Sequence, residues 1–517
     1  MTSLFQQHQS VLVLDFGSQY TQLIARRVRE NRVFCEIQPC DLSAAEIRRR
    51  SPIGLILSGG PQSVYADTAV EPDPEIFELG IPILGICYGM QVTAHLLGGE
   101  VEASDRREYG RAEIEVVHPS PLFEGLAASE TVWMSHADRV TRPPAGFEVC
   151  AATANAPAVA FEHSAKKIFG IQFHPEVSHT VSGGAMLRNF LYGICDARGD
   201  WSMASYLDEA VGSVREQVQD GHVLCALSGG VDSSVVAVLL HRAIGDRMLA
   251  VFVDNGVLRK DEAQQVLHSL RDGLGLSVIG VDAKQEFLAA LAGIEEPEEK
   301  RRTIGRVFIE VFEKEATRLE GIRFLAQGTL YPDVIESASV QGPAAVIKTH
   351  HNVGGLPERL GFELVEPLRY LFKDEVRQLG RELSIPEELI GRHPFPGPGL
   401  AVRILGAVTE DRVDLLQEAD ALFLQELRES GYYDKVSQAF AVLLPVKSVG
   451  VMGDFRTYEN VIALRAVETQ DFMTADWSPL PYELLGRVAN RIVNEVAGVN
   501  RVVYDVTSKP PGTIEWE

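Results

Sequence analysis

The chain has 517 residues, a length typical of about three domains. Its composition, 45% hydrophobic and 23% charged, is that of a globular protein, and its formal net charge is −24. A chain this acidic repels polyanions, so we expect no binding to nucleic acids or to membrane surfaces. We also expect no membrane span and no signal peptide, because the sequence has no run of about 18 apolar residues and no basic N-terminal segment followed by an apolar one.

The cysteines indicate the cellular compartment. There are six, none of them in a CxxC pair, and none follows Cys225. This spacing is not that of a disulfide framework or of a structural zinc site. We therefore expect a protein of the reducing cytoplasm.

Short apolar segments recur through the first 199 residues. Residues 11–14, 54–57 and 81–84 each form an apolar run that leads into a turn containing glycine. Strand, turn and helix in this order predict an α/β domain with a parallel sheet over residues 1–199. The ligands of such sheets bind at the carboxyl ends of the strands.

The same rhythm restarts in residues 200–393, for which we predict a second parallel α/β domain. The predicted strands of this domain are residues 223–227, 249–253, 276–281 and 324–326. Residues 329–361 are rich in Gly, Pro, Ser and His without a clear period. We expect them to form an irregular segment that acts as a lid or is disordered.

A third domain is predicted from residue 394 onward. The segment HPFPGPG at 393–399 interrupts any regular element and marks the boundary. Amphipathic helices at 411–430 and 481–497 then alternate with short strands. This mixture predicts an α+β domain over residues 394–517.

Cys87 is the first candidate for chemistry. It lies in the pattern G-x-C-x-G at 85–89, between an apolar strand and a helical segment. This is the arrangement of a nucleophile elbow, in which two small residues allow the sharp turn that exposes the side chain. A single cysteine is more often a buried apolar residue, but the two glycines and the strand–helix context favour a nucleophile.

A cysteine nucleophile needs a base and a group that orients the base. The segment QFHPE supplies His174 and Glu176, whose side chains would share one face of an extended strand. Gly59 and Gly60, in a segment SGGP that follows a predicted strand, can donate backbone N–H groups to the oxyanion of a tetrahedral intermediate. Taken singly, HPE is equally compatible with a surface loop, and SGGP with an ordinary turn.

Together these segments resemble the class I, or triad, glutamine amidotransferases. The matching segments are LSGGP at 57–61, LGICYGMQ at 84–91 and QFHPE at 172–176. The resemblance implies that Cys87 is the nucleophile, His174 the base and Glu176 the residue that orients the base. It also implies that ammonia is released from glutamine through a thioester.

A second candidate site follows the predicted strand at 223–227. Its residues, SGGVDSS at the start of a helix, are Ser228, Gly229, Gly230, Val231, Asp232, Ser233 and Ser234. Backbone N–H groups and hydroxyls at a helix N-terminus form a cradle for an anion. The loop lacks the lysine of a Walker A sequence, so it suits a departing pyrophosphate, with Asp232 as a candidate Mg²⁺ ligand. The alternative is a flexible turn.

The SGGVDSS segment resembles the PP-loop of the N-type ATP pyrophosphatases, which adenylate an oxygen and let a nucleophile displace AMP. Two later segments at predicted strand ends, 252–256 and 327–329, fit the same family. Distinctive segments nearer the C-terminus, GVMGDFR at 450–456 and SKPPGTIEWE at 508–517, extend the resemblance. Over its whole length the chain resembles the glutamine-hydrolysing GMP synthetases.

That resemblance implies the reaction and further site residues. ATP, with Mg²⁺ as the metal cofactor, adenylates the C2 oxygen of XMP, and ammonia then displaces AMP to give GMP. The residues implied for XMP binding are Arg301, Asp454, Lys509 and Glu515, and those implied for a lid are Lys348, His350 and His351. The resemblance also implies a homodimer formed through the C-terminal domain, and no organic prosthetic group.

Other interpretations stay open at this point. A different PP-loop ligase, such as a tRNA-thiolating enzyme or an amidating synthetase for another acid, would share the loop, although a thiolating enzyme would need cysteines after it. A non-catalytic nucleotide-binding regulator built on degenerate domains would share the fold. The adjacent His350 and His351 could bind zinc, but no cysteine or acidic residue has the spacing to complete that site.

Overall fold

The structure is a computed structural model that describes residues 8–339, 361–452, 455–469, 472 and 474–517. The chain forms two compact units, Met1–Tyr206 and Leu207–Glu517. Each unit has its own sheets. Within the described ranges, no helix combines the length and the apolar composition that crossing a membrane requires.

The first unit is built on one nine-stranded sheet. Its strands are β1 (Ser10–Asp15), β2 (Phe34–Pro39), β3 (Gly54–Leu57), β4 (Ile83–Ile86), β5 (Glu100–Val116), β6 (Ser129–Arg142), β7 (Glu148–Ala152), β8 (Ala160–His163) and β9 (Ile168–Ile171). Its helices are α1 (Thr21–Glu30), α2 (Ala44–Arg50), α3 (Tyr88–Leu96) and α4 (Gly183–Arg188), and α5 (Met203–Val218) runs on into the second unit. The strand order is β2-β1-β3-β4-β9-β8-β7-β5-β6.

The predicted parallel α/β sheet is confirmed, but it is only part of the observed sheet. β2, β1, β3, β4 and β9 run parallel, whereas β8, β7, β5 and β6 continue the sheet by antiparallel pairing. β3 and β4 are apolar and buried along their whole length, as strands of a covered parallel sheet are. The β5–β6 hairpin carries many charged residues, so it lacks the apolar runs that reveal the parallel strands in the sequence.

The second unit begins with the predicted parallel sheet, which has five strands where four were predicted. Its strands are β10 (His222–Leu227), β11 (Met248–Asp254), β12 (Val278–Asp282), β13 (Ile322–Ala326) and β14 (Glu363–Val365). Its helices are α6 (Val231–Ile244), α7 (Glu262–His268), α8 (Lys284–Leu291), α9 (Pro297–Ala316), α10 (Tyr331–Ser339), α11 (Lys373–Glu382) and α12 (Glu387–Ile390). The strand order is β12-β11-β10-β13-β14, so the turn after the central strand β10 lies between the ends of β11 and β13.

The C-terminal part of the second unit has the predicted α+β arrangement. Its elements are α13 (Glu410–Glu429), β15 (Gln438–Met452), β16 (Phe455–Glu468), β17 (Asp476–Trp477), α14 (Tyr482–Glu495) and β18 (Val499–Tyr504). β16 pairs antiparallel with β15 and β17 and parallel with β18. Helix α14 buries Leu484, Val488 and Ile492, four residues apart, so it presents one apolar stripe to the core.

One hydrophobic core serves both parts of the second unit. It includes Val257 from the parallel-sheet part and Phe423 and Leu464 from the C-terminal part. The segment 393–399 does interrupt regular structure, as its prolines and glycines predict. The change of secondary structure expected at residue 394 therefore occurs without a gap in the packing.

The segment predicted to be irregular, 329–361, begins with a helix. Helix α10 occupies residues 331–339, and the Asp333 carboxylate accepts a hydrogen bond from the Leu330 N–H at 2.9 Å. That contact and Pro332 in the first turn stabilise the helix start, a local signal that the glycine and proline content of the whole segment obscures. The predicted lid residues Lys348, His350 and His351 lie outside the described residues.

Candidate functional site

Cys87 lies in a sharp turn between β4 and α3. Its backbone has φ 53° and ψ −106°, which is an uncommon conformation for a residue with a side chain. Two glycines permit this turn, because a Cβ on Gly85 would come within 2.6 Å of the Gly89 carbonyl group and one on Gly89 would clash with the Leu57 backbone. The structure thus contains the predicted elbow, with a strained residue at its tip.

His174 and Glu176 follow β9, which is the parallel neighbour of β4. The carboxyl ends of these strands lie side by side, and the Cys87 N–H donates to the Ile171 carbonyl at 2.8 Å. His174 Nδ1 lies 2.6 Å from Glu176 Oε1, and both side chains are buried. The segment is a turn and not the extended strand that we predicted, but it brings the imidazole and the carboxylate together as expected.

The Glu176 carboxylate interacts with His174 through one of its two oxygens. Glu176 is fully buried, and its second oxygen, Oε2, has no hydrogen-bond partner among the described residues. Burial lowers the pKa of His174, but the Glu176 carboxylate and a hydrogen bond with the Cys87 thiol outweigh burial and raise that pKa to about 10. The Glu176 carboxylate thus favours the protonated form of His174.

The predicted oxyanion residues lie beside this pair. Gly59 and Gly60 follow β3, the other parallel neighbour of β4. A Cβ on Gly59 would lie 3.3 Å from His174 Cε1, and one on Gly60 would lie 3.1 Å from the Tyr88 ring. Glycine at both positions leaves room for the imidazole and the start of α3, since a Cβ at either one would be a tight contact. The structure thus gathers all three predicted segments at one edge of the sheet.

Gln172 is a site residue that the sequence reasoning missed. Its side chain is fully buried, and its Nε2 donates to Cys87 Sγ at 3.8 Å. Its Oε1 accepts a hydrogen bond from Gln91 Nε2 at 3.3 Å, which fixes the amide orientation. Both residues lie inside the quoted segments QFHPE and LGICYGMQ, so their positions were noted but their contact with the thiol was not predicted.

The SGGVDSS segment forms the turn between β10 and α6. Gly229 has φ +77°, a conformation that favours glycine, and Gly230 caps the N-terminus of α6. The Ser228 and Ser233 hydroxyls lie 3.2 Å apart, and the Ser228 hydroxyl accepts from the Gly230 N–H at 3.3 Å. The loop therefore folds over the start of α6, where N–H groups and the helix dipole attract an anion.

Asp232 lies in the first turn of α6 and has one unpaired oxygen. Its Oδ1 is buried without a hydrogen-bond partner among the described residues, and its Oδ2 lies 3.5 Å from Lys373 Nζ. Such an oxygen beside an anion cradle fits Mg²⁺, which binds through one or two carboxylates, substrate phosphates and water. The described ranges contain no group of three His, Cys, Asp or Glu that could hold a metal, so Asp232 would act together with the substrate.

Lys373 is a second residue that the sequence reasoning missed. It is the first residue of α11, a helix that packs against α6. Its ammonium brings a cation to a phosphate cradle that has no lysine of its own. The contact depends on the packing of two helices that are distant in sequence, so no local motif marks it.

The two strand-end segments predicted to accompany the loop lie next to it. A Cβ on Gly328 would be 3.6 Å from the Asp232 backbone and side chain, and one on Gly229 would be 3.3 Å from the Phe252 ring. After β11, the Asp254 carboxylate accepts from the Gly256 N–H at 2.9 Å and forms a tight turn. The carboxyl ends of β10, β11 and β13 therefore form one surface.

Two of the predicted XMP residues contact the C-terminal segment. The Arg301 guanidinium donates to the main-chain oxygen of Glu517. The Glu515 carboxylate accepts two hydrogen bonds from Arg403, at 2.8 and 3.0 Å, and one from Gln438 at 2.7 Å. The structure thus brings Arg301 and Glu515 to the same stretch of chain and gives Glu515 a partner that the sequence did not indicate.

The other two predicted XMP residues are placed differently. Lys509 Nζ donates to the Phe472 carbonyl at 2.8 Å. Asp454 lies outside the described residues. Among the residues that the structure describes, Lys509 therefore forms no hydrogen bond or ion pair with Arg301 or Glu515.

Two fully buried cations hold the C-terminal segment in place. Lys300 Nζ donates to the Ile404 carbonyl at 2.7 Å and also contacts the Glu517 carboxylate. Arg465 pairs with Asp505 at 2.8 Å and donates to the main-chain carbonyls of residues 507, 513 and 514. Each buried charge is thus satisfied by several acceptors, as burial requires.

Comparison with known families defines the class of each unit. Residues 12–194 match the family model described as glutamine amidotransferase class-I, so the first unit is a class I amidotransferase domain. In the second unit, residues 204–304 match the model described as NAD synthase. Residues 425–516 match the model described as GMP synthase C terminal domain.

Curated relatives match the chain from end to end. The GMP synthase [glutamine-hydrolyzing] of Aquifex aeolicus (strain VF5) is 58% identical over 511 residues, which cover 99% of this chain and 100% of the relative. The proteins of the same name from Phenylobacterium zucineum (strain HLK1) and Azoarcus sp. (strain BH72) are 58% and 57% identical, each over 99% of this chain and over 99% and 100% of the relative. The chain belongs to the family of glutamine-hydrolysing GMP synthases, which are C–N ligases with glutamine as the amide donor.

Replacing Glu176 with glutamine removes the charge that raises the His174 pKa. In Glu176→Gln we expect this pKa to fall from about 10 by roughly one unit or more. NMR titration of the His174 Cε1–H signal measures the change. Because the wild-type pKa exceeds the unfolded value of 6.5, the pair stabilises the first unit below that pH, and the contribution is lost as pH rises through about 10.

The matched control is Glu130→Gln, another buried carboxylate of the first unit, which bonds to Ser182 and the Ala127 N–H. It should leave the His174 titration unchanged. Denaturation curves should show that Glu176→Gln loses less stability than the wild type between pH 7 and about 10. An unchanged His174 pKa in Glu176→Gln would contradict the assignment.

Proposed function

We propose that the chain aminates XMP at C2 to form GMP, converting ATP to AMP and pyrophosphate and glutamine to glutamate. Glutamine and water react in the first unit and yield glutamate and ammonia. In the second unit the C2 oxygen of XMP attacks the α-phosphate of ATP, and pyrophosphate leaves. Ammonia then attacks C2 of the adenylated XMP, and AMP departs with the oxygen.

One observation carries this proposal: the chain matches glutamine-hydrolysing GMP synthases over their whole length. The match extends through residues 425–516, beyond the phosphate loop that PP-loop ligases share. It therefore supports XMP over the substrates of other such ligases. The site roles that follow are our assignments.

In the first unit we assign Cys87 as the nucleophile that attacks the glutamine carboxamide. Protonated His174 gives the departing ammonia its proton. Glu176 pairs with Nδ1 of the ring, so the other ring nitrogen carries the proton that is transferred. The N–H groups of Gly59 and Gly60 stabilise the oxyanion of the tetrahedral intermediate. Water then hydrolyses the thioester, with His174 as the base.

In the second unit we assign residues 228–234 to ATP and its departing pyrophosphate. The backbone N–H groups at the start of α6 and the Ser228 and Ser233 hydroxyls surround the phosphate oxygens. Asp232 would hold Mg²⁺, which neutralises charge on the leaving pyrophosphate when it is bound. Lys373, beside Asp232, supplies the second positive charge for the same oxygens.

We assign Arg301, Asp454, Lys509 and Glu515 to XMP. Cationic side chains suit its phosphate and ring oxygens, and a carboxylate suits ribose hydroxyls or ring N–H groups. The Arg403–Glu515 pair supports this assignment because it holds the Glu515 carboxylate in one orientation. We assign Lys348, His350 and His351 to a lid that shields the adenylate from water.

We further propose that the chain forms a homodimer through the β15–β16 hairpin. The hairpin exposes five apolar side chains, between 45% and 78% of each: Val446, Val449, Val451, Phe455 and Tyr458. Val449 lies directly opposite Tyr458 in the ladder, so the two side chains share a face. The same hairpin of a second copy, related by a two-fold axis, would cover this surface.

We retain the predicted functional division of the chain: glutaminase 1–199, synthetase 200–393, and dimerisation with XMP binding 394–517. A cytoplasmic location is part of the same proposal. All six cysteines are free in the structure, which is the usual state in a reducing compartment.

Replacing Cys87 separates the two half-reactions. Cys87→Ala should lower glutamine-dependent GMP formation by roughly 10⁴-fold or more, because the nucleophile is lost. Activity with a high concentration of ammonium salt should stay at the wild-type level. Absorbance assays of purified protein with XMP, MgATP and either nitrogen source measure both rates.

The control is Cys40→Ala, which replaces a partly exposed cysteine just after β2 that is not part of the G-x-C-x-G turn. It should retain both activities. If Cys87→Ala loses ammonium-dependent activity too, Cys87 has a structural role. If the wild type forms no GMP with either nitrogen source, the proposed reaction is wrong.

Replacing Asp232 should affect both nitrogen sources alike. Asp232→Asn keeps the size of the side chain but removes the charge for Mg²⁺, and we expect a loss on the order of 10²–10³-fold in GMP formation with glutamine or ammonium. Asp246→Asn, at an exposed position just after the same helix, is the control and should be near wild type. Full activity of Asp232→Asn would remove Asp232 from the metal site.

The dimer proposal can be tested on the hairpin. Phe455→Asp places a charge on a side chain that is 78% exposed in one copy, and burial of that charge would oppose association. Sedimentation velocity at micromolar concentration should show a dimer for the wild type and a monomer for this variant. Tyr482→Asp, outside the hairpin and 92% exposed, should remain dimeric. A monomeric wild type, or a dimeric Phe455→Asp, would contradict the proposed interface.

A further inference from the structure

Residues 255–261 form the loop between β11 and α7. The two elements that this loop joins both contact the phosphate loop, residues 228–234. A Cβ on Gly229 would lie 3.3 Å from the Phe252 ring and 3.4 Å from a Val266 methyl group. Phe252 lies in β11 and Val266 in α7, so the β11–α7 loop joins two side chains that pack against Gly229. A shift of this loop would therefore move the wall of the phosphate loop.

Local hydrogen bonds hold the start of the β11–α7 loop and also its end, where the Arg259 N–H donates to the Glu262 carboxylate at 3.0 Å. The Asp254 carboxylate accepts from the Gly256 N–H at 2.9 Å, and the buried Asn255 side chain accepts from the Val257 N–H at 3.0 Å. These are tight turns of the kind that aspartate and asparagine favour. Residues from the C-terminal part of the unit add contacts to Val257, Leu258 and Arg259 in the second half of the loop.

The first of these contacts comes from the segment that enters the C-terminal part. The Leu400 N–H donates to the Val257 carbonyl at 2.7 Å. Gly399, with φ +63°, lies so close to Val257 that a Cβ there would clash with the Val257 carbonyl group. The approach of these two backbones requires a glycine.

Helix α13 supplies two further contacts, side by side on one face. Gln417 Nε2 donates to the Leu258 carbonyl at 2.6 Å. Asp420 Oδ2 lies 3.2 Å from Arg259 Nε, with the two side chains only 2% and 14% exposed. The other oxygen of Asp420 accepts from the Ala441 N–H in β15 at 2.9 Å, so the carboxylate is itself anchored to the sheet. A buried, anchored ion pair resists displacement more than a surface pair does.

We propose that helix α13 positions the β11–α7 loop for MgATP, with Gln417 and Asp420 as the positioning residues. Neither residue touches the phosphate loop; each acts through a residue of the β11–α7 loop. The proposal deepens the proposed function, because it rests on the assignment of residues 228–234 to ATP. It gives the C-terminal part a role in the ATP site in addition to XMP binding and dimerisation.

The same helix offers an internal control. Glu418 lies between the two positioning residues and pairs with Lys260 of the loop at 2.7 Å, but these side chains are 48% and 42% exposed. Exposed pairs of this kind hold a loop weakly. Loss of the Glu418 charge should therefore leave the β11–α7 loop in place.

Steady-state kinetics of the full chain, with XMP and ammonium salt saturating, tests the proposal. Asp420→Asn removes the charge, and Gln417→Glu places an acceptor against the Leu258 carbonyl. Each variant should raise the KM for MgATP about tenfold, as the loss of one coupled contact would. The KM for ammonium, measured separately with XMP and MgATP saturating, should not change, and Glu418→Gln should match the wild type in both constants.

Because Asp420 is buried, circular dichroism and the melting temperature must first show that Asp420→Asn folds like the wild type. Gln417 is partly exposed, so Gln417→Glu tests the same loop with less effect on folding. The proposal is overturned if both variants keep the wild-type KM for MgATP within about twofold. It is also overturned if Glu418→Gln raises that KM as much as they do.

Calorimetric titration with MgATP alone separates this proposal from the proposed function. Weaker binding of MgATP by both variants than by the wild type would support the positioning role of α13. This result would hold even if the protein formed no GMP. Equal binding by the wild type and the variants would reject the positioning role while leaving GMP formation intact.

Discussion

Parallel pairing of β3, β4 and β9 brings three turns that are far apart in the sequence to one edge of a sheet. Main-chain hydrogen bonds join those turns: Cys87 N–H to the Ile171 carbonyl at 2.8 Å, and Gly89 N–H to the Ser58 carbonyl at 3.0 Å. Because only backbone groups are used, the thiol, the imidazole and the carboxylate remain available for one another. Every distance in the first candidate site depends on the register of these three strands.

The second unit uses the same constraint and adds buried charges to it. The ends of β10, β11 and β13 form the surface on which the phosphate loop lies. Elsewhere in this unit three fully buried cations, Lys300, Arg403 and Arg465, each bind acceptors from segments distant in sequence. Such groups are costly to bury and costly to leave unpaired, so each one specifies which segments must meet. In the second unit, apolar packing stabilises the sheet, and buried ion pairs determine which of the surrounding segments come together.

The sequence predicts well those features that are local. Apolar runs that lead into a turn with glycine predict β1, β3 and β4, whereas the parallel strands β2 and β9 were not predicted. The elbow at Cys87 is encoded by Gly85 and Gly89. The antiparallel β5–β6 hairpin was not predicted, because its strands are rich in charged residues and contain no apolar run. Lys373 beside Asp232, and Arg403 paired with Glu515, also escape it, since each pair joins elements that are separated by long stretches of chain. No periodicity or spacing can report a contact that only the tertiary fold creates.

The burial of Glu176 has a consequence for the response to ionic strength. Mobile ions cannot approach a carboxylate that is fully buried, so added salt barely weakens its field at His174. Surface pairs such as Lys166 and Glu78, both well exposed, weaken in the same solution. High salt therefore weakens the surface ion pairs of the first unit, whereas the interaction between Glu176 and His174 keeps nearly the same strength.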